Sequence, residues 1–389
     1  MDRRVMAGFI LALITLPSVA VSVTAESDVL VVPDDYATIQ AAIDAAGEGS
    51  TVHVKAGSYH ENLEINKSIS LVGASCFSVF VDGNTSEPYG VVPCRICCSG
   101  VNVSGFTFSE GRDGVQLMSG VCNCSISGNR LINNEHGILA SMGSGNRFVK
   151  NLITSATYGI YLLRSSNCLV EANKIASSSE GIAVFDDLLS PQEVTASFEN
   201  QVLGNTLFNI TDKAVWFKFT RDNLMVGNNI TACKIGLALL YADNNMVYQN
   251  NFVGNTYQVA GGLEPIWSGG SGTRYSVCQW CNGSVGNYWS DYNGTDQNGN
   301  GIGDAPYVIN EANSDENPLM NPVSLKEIAL SIEVYEDLAS PALSPSASPS
   351  SPVAEPVSMG QVIAVLASTT VAIVGLWLYF RKPKPEEAH

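Results

Sequence analysis

The chain has 389 residues, 45% of them hydrophobic, and a formal charge of −17 at pH 7. That much apolar matter can close a large core, which excludes a disordered polymer. An acidic balance of this size repels phosphate backbones and excludes nucleic acid as a partner.

Arg3 and Arg4 precede an apolar run from Val5 to Ala20, and Val23-Thr24-Ala25 offers small residues for cleavage before Glu26. Residues 1–25 therefore read as a secretory signal and are set apart from the fold. Residues 26–50 read as an N-terminal cap. Within Val31–Ala46, the residues Ile39, Ala42, Ile43 and Ala46 fall on one helical face, as a small amphipathic helix plugging the open end of a column requires. Strands are expected from Thr51-Val-His-Val54, through Ile69-Ser-Leu-Val72 and Val79-Phe-Val81, to a turn at Asp82-Gly83.

Between Gly128 and Phe252 one pattern returns about every 22 residues. Its first marker is Asn129, Asn151, Asn173, Asn205, Asn228 and Asn250, spaced 22, 22, 32, 23 and 22. Its second is Gly137-Ile138, Gly159-Ile160, Gly181-Ile182, Ala214-Val215 and Gly236-Leu237. Both jump in the same interval, so about ten residues, Asp186 to Val194, are inserted there. A unit this short cannot close a core alone and must stack on its neighbours. The apolar runs are too short for helices and lack a leucine-rich frame, so the expected fold is all-β. It is a right-handed parallel β-helix of nine or ten coils over residues 51–260, with three short strands per coil. Asn suits its corners because it tolerates the left-handed conformation and its amide can bond to the next Asn in the stack.

The Asp35-Tyr-Ala-Thr-Ile-Gln-Ala-Ala-Ile43 opening, the Gly57-Ser-Tyr59-His-Glu61 turn, the Lys67-Ser-Ile-Ser-Leu-Val-Gly73 strand and the Val81-Asp-Gly83 turn resemble the pectin-lyase-like superfamily. Within it they resemble the NosD-like β-helix proteins. The likeness covers roughly residues 30 to 310, including Gly286-Asn-Tyr-Trp-Ser-Asp-Tyr292 and Gly301-Ile-Gly-Asp-Ala-Pro-Tyr307, which are similar to a C-terminal element of archaeal surface members. The resemblance implies the fold and, through copper-enzyme maturation, an alternative role in copper handling. A fixed membrane anchor with few Met and His is a poor copper carrier.

Residues 261–322 form the C-terminal element, and Asp296-Gln-Asn298-Gly-Asn300-Gly-Ile-Gly-Asp304 places side-chain oxygens at alternate positions before a Gly turn. Asp296, Asn298, Asn300 and Asp304 are candidate calcium ligands, in a pattern that resembles thrombospondin type 3 loops and part of an EF-hand. The EF-hand's closing Glu is replaced here by Tyr307, and a plain Asn-Gly turn cluster is the alternative. A linker and Ser/Pro-rich stalk follow over 323–358, then an uncharged apolar stretch across 360–380 long enough to span a bilayer. The basic tail, 381–389, places the C-terminus in the cytoplasm and the β-helix outside, at the cell surface. Eight glycosylation sequons, at Asn66, Asn84, Asn102, Asn123, Asn209, Asn229, Asn282 and Asn293, suit an exported glycoprotein.

Ten cysteines in an exported chain favour disulfides, and Cys98 and Cys122 fall about one coil apart if Val103 and Ile126 are equivalent. Cys94-Arg-Ile-Cys97 and Cys278-Gln-Trp-Cys281 have zinc-like spacing but no nearby His. In the strand after each Gly-aliphatic marker, alternation turns Leu139, Tyr161, Ala183, Trp216 and Ala238 outward, with Leu163, Phe185, Lys218 and Leu240 two positions on. Tyr161, Phe185 and Trp216 could stack an extended glycan, or lie under the insertion. Arg164 and Asp186 are one coil apart, with Asp187, Lys218, Arg221 and Asp222 near the same edge. These are catalytic candidates for a polysaccharide lyase or glycoside hydrolase, or else rim salt bridges. The role the sequence favours is a membrane-anchored surface module that binds glycan or another envelope component.

Overall fold

The computed structural model of the protein describes residues 28–83, 90–186, 197–261, 264–265 and 273–324. The expected signal, most of the stalk, the membrane span and the tail lie outside these residues, as do Asn84 and Asp187. No helix among the described residues is long and apolar enough to cross a membrane.

The chain winds as a right-handed parallel β-solenoid of about ten coils, with two ten-stranded sheets and one nine-stranded sheet running up its sides. We number the sheets in the order a coil visits them. Sheet 1 begins at Val29–Val32 and ends at Met246–Tyr248; sheet 2 runs from Gly57–Tyr59 to Tyr288–Trp289; sheet 3 runs from Leu63–Ile65 to Tyr257–Gly261. Within these three sheets every strand pairs in parallel with its counterpart one coil away, and two short antiparallel pairs stand apart from them, Glu264–Pro265 with Thr273–Arg274 and Tyr307–Asn310 with Asn313–Asp315. The equivalence of Val103 and Ile126 is observed directly.

The first strand comes earlier than its sequence suggests. Val29-Leu-Val-Val32 pairs with Thr51–Val54, and the helix is confined to Ile39–Ala45. Leu30 and Val32 alternate inward like any other rung, and tertiary pairing claims them before helical periodicity can. Thr38 N-caps the helix by accepting from the Ala41 amide, and Ile39, Ala42 and Ile43 are fully buried.

The markers now have physical causes. Asn129, Asn151, Asn173, Asn205, Asn228 and Asn250 form one buried ladder. In each step the side-chain oxygen of the next Asn accepts both the backbone N–H and the side-chain amide of the one before it, as Asn173 does for Asn151 at 2.9 and 3.0 Å. The other amide hydrogen serves a backbone carbonyl, such as Phe148 for Asn173 at 2.8 Å. The ladder continues through Asn287 and stops on a carboxylate. Asp315 Oδ2 accepts Asn287 N at 2.7 Å and Trp289 Nε1 at 2.9 Å. Burial pushes the Asp315 carboxyl up, against the pull of the Asn287, Trp289 and Asn317 donors.

One expectation is corrected. The left-handed residue at this corner is the residue before each ladder Asn, with φ of 55° at Lys150, 57° at Ala172 and 54° at Gln249. Each Asn must instead aim its amide along the column axis, so its neighbour makes the bend. The Gly of the second marker is a matter of space. A Cβ on Gly137 would lie 2.5 Å from the Gly159 carbonyl oxygen and 2.8 Å from the Ile153 side chain. The aliphatic residue that follows points inward, and Ile138, Ile160, Ile182, Val215 and Leu237 are all fully buried.

Asn173→Ala tests the ladder. It leaves the Asn151 backbone N–H and one hydrogen of its side-chain amide buried without partners, at about 1–3 kcal/mol per group, and removes the donor that Asn173 gives to the Phe148 carbonyl. Chemical denaturation is expected to show a loss of at least ~2 kcal/mol, and a smaller loss would mean the ladder carries little stability.

Candidate functional site

Sheet 3 contains the longest strands of the column. His136–Ser141, Tyr158–Leu163, Glu180–Phe185, Lys213–Lys218 and Ile235–Leu240 each have six residues, where most other rungs have three. Parallel pairing turns their outward positions into rows. One row reads Asp113, His136, Tyr158, Glu180, Lys213, and the next Gln116, Leu139, Tyr161, Ala183, Trp216. A third reads Leu163, Phe185, Lys218.

The rings touch from coil to coil. His136 stacks on Tyr158 with centroids 5.0 Å apart, and Tyr161 meets both edge-on. Tyr161 and Phe185 are 5.7 Å apart, and Phe185 and Trp216 are 5.6 Å apart. Lys218 Nζ lies 4.3 Å from the Phe185 ring and 5.3 Å from Trp216, and Lys213 Nζ lies 4.5 Å from Trp216. The aromatic stripe is thus one continuous run of half-buried rings, and residues 187–196, spanning most of the insertion that could cover it, lie outside the described residues. Ala183 and Ala238 are corrected to buried, because each small side chain sits directly beside the Trp216 indole in the row.

Charge along the face is ordered. Asp113 is fully buried, and its carboxylate accepts from Arg112 at 2.8 Å and Gln116 at 2.9 Å and pairs with His136 Nδ1 at 2.8 Å. Burial alone would raise its pKa, but the hydrogen bonds and charges of His136 and Arg112 outweigh it and hold the group below the usual carboxylate range. An ionised Asp113 fixes the proton on Nδ1 and leaves Nε2 as the basic nitrogen. Two rungs on, burial pushes the Glu180 carboxyl up even though Lys213 Nζ is 3.0 Å away. Lys213 is drawn equally to Asp212, at 2.5 Å, and the two carboxylates together keep its pKa above the ordinary value despite burial.

Arg164 and Asp186 do meet, at 3.2 Å between Nε and Oδ1, with Asp186 fully buried. Lys218 stands one coil from Phe185 and lies over aromatic rings. Arg221 pairs with Asp222 and lies over Phe198, a separate exposed pair. His136, Tyr158, Glu180 and Lys213 were missed by sequence reasoning. The signal was available, since each is the residue immediately before a Gly- or Ala-aliphatic marker.

In the C-terminal element the side-chain oxygens of the 296–304 loop turn onto its own backbone. Asp296 accepts from Gly299, Asn300 and Gly301, Asn298 from Asn300, Asn300 from Ile302, and Asp304 from Gln297. The cysteines correct a further expectation, because all ten are free thiols. Cys124, Cys168 and Cys233 are buried at corners, where each Sγ approaches the carbonyl two residues back, as the Ser165 and Ser178 hydroxyls do. They are small apolar fillers. Burial pushes the Cys168 thiol up to about 11.

The sequence profile of the family described as periplasmic copper-binding protein (NosD) matches residues 44–189 and 193–294. The chain belongs to the NosD family. A probable ABC transporter binding protein NosD from Stutzerimonas stutzeri is 28% identical over 157 residues, 40% of this chain and 29% of that protein, so this chain spans less than a third of that relative's length. Among solved structures, the A-module of mannuronan C-5 epimerase AlgE6 from Azotobacter vinelandii is similar with a TM-score of 0.49 and 16% identity, covering 64% of this chain and 81% of that one. Carrot pectin methylesterase gives a TM-score of 0.43 and 14% identity, covering 61% and 90%.

Among the described residues no three His, Cys, Asp or Glu side chains converge. His60 and His136 turn their Nδ1 atoms onto Asp82 and Asp113, and the Cys94 and Cys168 thiols are buried with pKa values pushed up.

The Asp113 network gives a signed pH dependence. Its depressed pKa contributes stability above the unfolded value of 3.8 that is lost as pH falls through the folded value. Asp113→Asn is therefore expected to be less stable than the parent at neutral pH and to converge with it in acid, measured by denaturant titration from about pH 7 to about pH 3. A difference that stays constant across that range would disprove the assignment.

Proposed function

We propose that this NosD-family β-helix is a carbohydrate-binding module of the cell surface, anchored by a span at 360–380, that lays an extended glycan along the outer face of sheet 3. The supporting observation is the unbroken, half-exposed run of Tyr158, Tyr161, Phe185 and Trp216 across successive coils. Flat rings in register with a rigid column suit the apolar faces of sugars, and the carboxylates and lysines beside them suit the hydroxyls. On a glycan array, Trp216→Ala is expected to lower retention at least tenfold with unchanged melting, as the loss of one stacking anchor predicts. Equal retention by parent and variant would remove the stripe from the function.

A polysaccharide lyase or glycoside hydrolase is the second reading, favoured by the carboxylate-oriented His136 and the buried Glu180 on the same face. It draws on those groups rather than on Arg164 and Asp186, and shortening of a retained glycan during incubation would support it.

Calcium is the proposed metal, held by Asp296, Asn298, Asn300 and Asp304 once their oxygens turn from the backbone to the ion. Melting with and without calcium checks this. The parent should gain several degrees and Asp296→Ala should gain none, whereas equal gains would defeat the proposal.

A further inference from the structure

Glu180 sits mid-face, its side chain only 10% exposed. Its two oxygens are unequally used. Oε1 accepts from Lys213, whereas Oε2, fully buried, has no hydrogen-bond partner among the described residues. A buried carboxylate oxygen without a donor is costly to the fold, so its persistence points to a group kept for a ligand.

The neighbours narrow the ligand. Glu180 is paired directly with Tyr158 on one side and with Lys213 on the other. In the adjacent row the small, buried Ala183 lies between Tyr161 and Trp216, and the Phe185 ring bridges those two rings at 5.7 and 5.6 Å. Two rungs of ~4.8 Å put those rings ~10 Å apart along the column, the reach of a short run of sugar units. The neighbouring cations are engaged: Lys213 with Glu180 and Asp212, Arg112 with Asp113, Arg164 with Asp186, and Lys218 over the Phe185 and Trp216 rings, from where its charge also acts on Glu180. The polar capacity left over at the centre of the face is an acceptor, and an acceptor calls for hydroxyl donors rather than for a carboxylate or phosphate.

Resting on the glycan reading above, we infer that Glu180 is the polar anchor of a subsite for neutral pyranosides, with Oε2 accepting a sugar hydroxyl while Tyr161 and Trp216 hold the flanking units. Neutral glycan is thereby selected over polyuronate, because a uronate carboxylate here would face Glu180 and Asp212 with their lysine already shared.

Titration calorimetry of the purified full-length protein with cellohexaose, mannohexaose and hexagalacturonate tests the inference. At least one neutral hexasaccharide is expected to bind in preference to hexagalacturonate. Glu180→Gln should weaken it about tenfold or more, since the amide keeps an oxygen for Lys213 but presents a donor where the ligand needs an acceptor. Glu180→Asp, which keeps the charge and withdraws the oxygens, should weaken it as well. Both variants should melt with the parent, and should Glu180→Gln fail to fold, Glu180→Asp carries the test. Preference for hexagalacturonate would overturn the inference. Undiminished binding by the Glu180 variants alongside loss in Trp216→Ala would overturn it while leaving the glycan reading intact, and no binding of any of the three by the parent would overturn both.

Discussion

The structure depends on one interaction repeated along its length: an amide handed from coil to coil. In the Asn129-to-Asn287 ladder each side-chain amide donates to a backbone carbonyl of the preceding coil and to the side-chain oxygen of the next Asn, so that one side chain sets the height of the coils on both sides. Aligned amides polarise one another in a dry interior, so each bond gains from its neighbours. The run ends on Asp315, whose negative charge receives the last donors of a file pointing one way. Holding that file costs the left-handed conformation at Lys150, Ala172 and Gln249, which are not glycines. The ladder must over-determine those corners for them to persist.

A rigid repeat of this kind converts sequence columns into surface rows. Asp113, His136, Tyr158, Glu180 and Lys213 are separated by 22 to 33 residues in the chain yet occupy consecutive rungs of one sheet. Neither a local motif nor a loop brings them together. The surface chemistry can therefore vary rung by rung without disturbing the core, because Ile138, Ile160, Ile182 and Val215 point the other way. The sheet with the longest strands has the most outward positions, and the aromatic and ionisable groups gather there.

The cysteines show where reasoning from residue type alone goes astray. An even count of cysteines favours pairing if the chain is read as exported, yet Cys124, Cys168 and Cys233 take corner positions that Ser or Asn fills in other coils. A corner there asks for a small side chain with a weak donor facing a carbonyl, and a thiol meets that need. Cys98 and Cys122 do lie about a coil apart, and their sulfurs are not joined. The loop at 296–304 raises a similar question, since the alternation of Asp and Asn that suits a cation also satisfies a chain of backbone amides.

The sequence by itself determined the period, the inserted decade, the parallel solenoid and the inward set of aliphatic residues, because those follow from a repeat that cannot close its own core. It also located the stripe of Tyr161, Phe185 and Trp216, since alternation along a strand is local. Only the tertiary structure decided that Val29–Val32 is the first rung, that the thiols stay apart, and that Glu180 holds one oxygen in use and one in reserve. Those outcomes turn on which side chains meet across coils and at what angle, and a one-dimensional spacing specifies the rung while leaving the hydrogen bond unassigned.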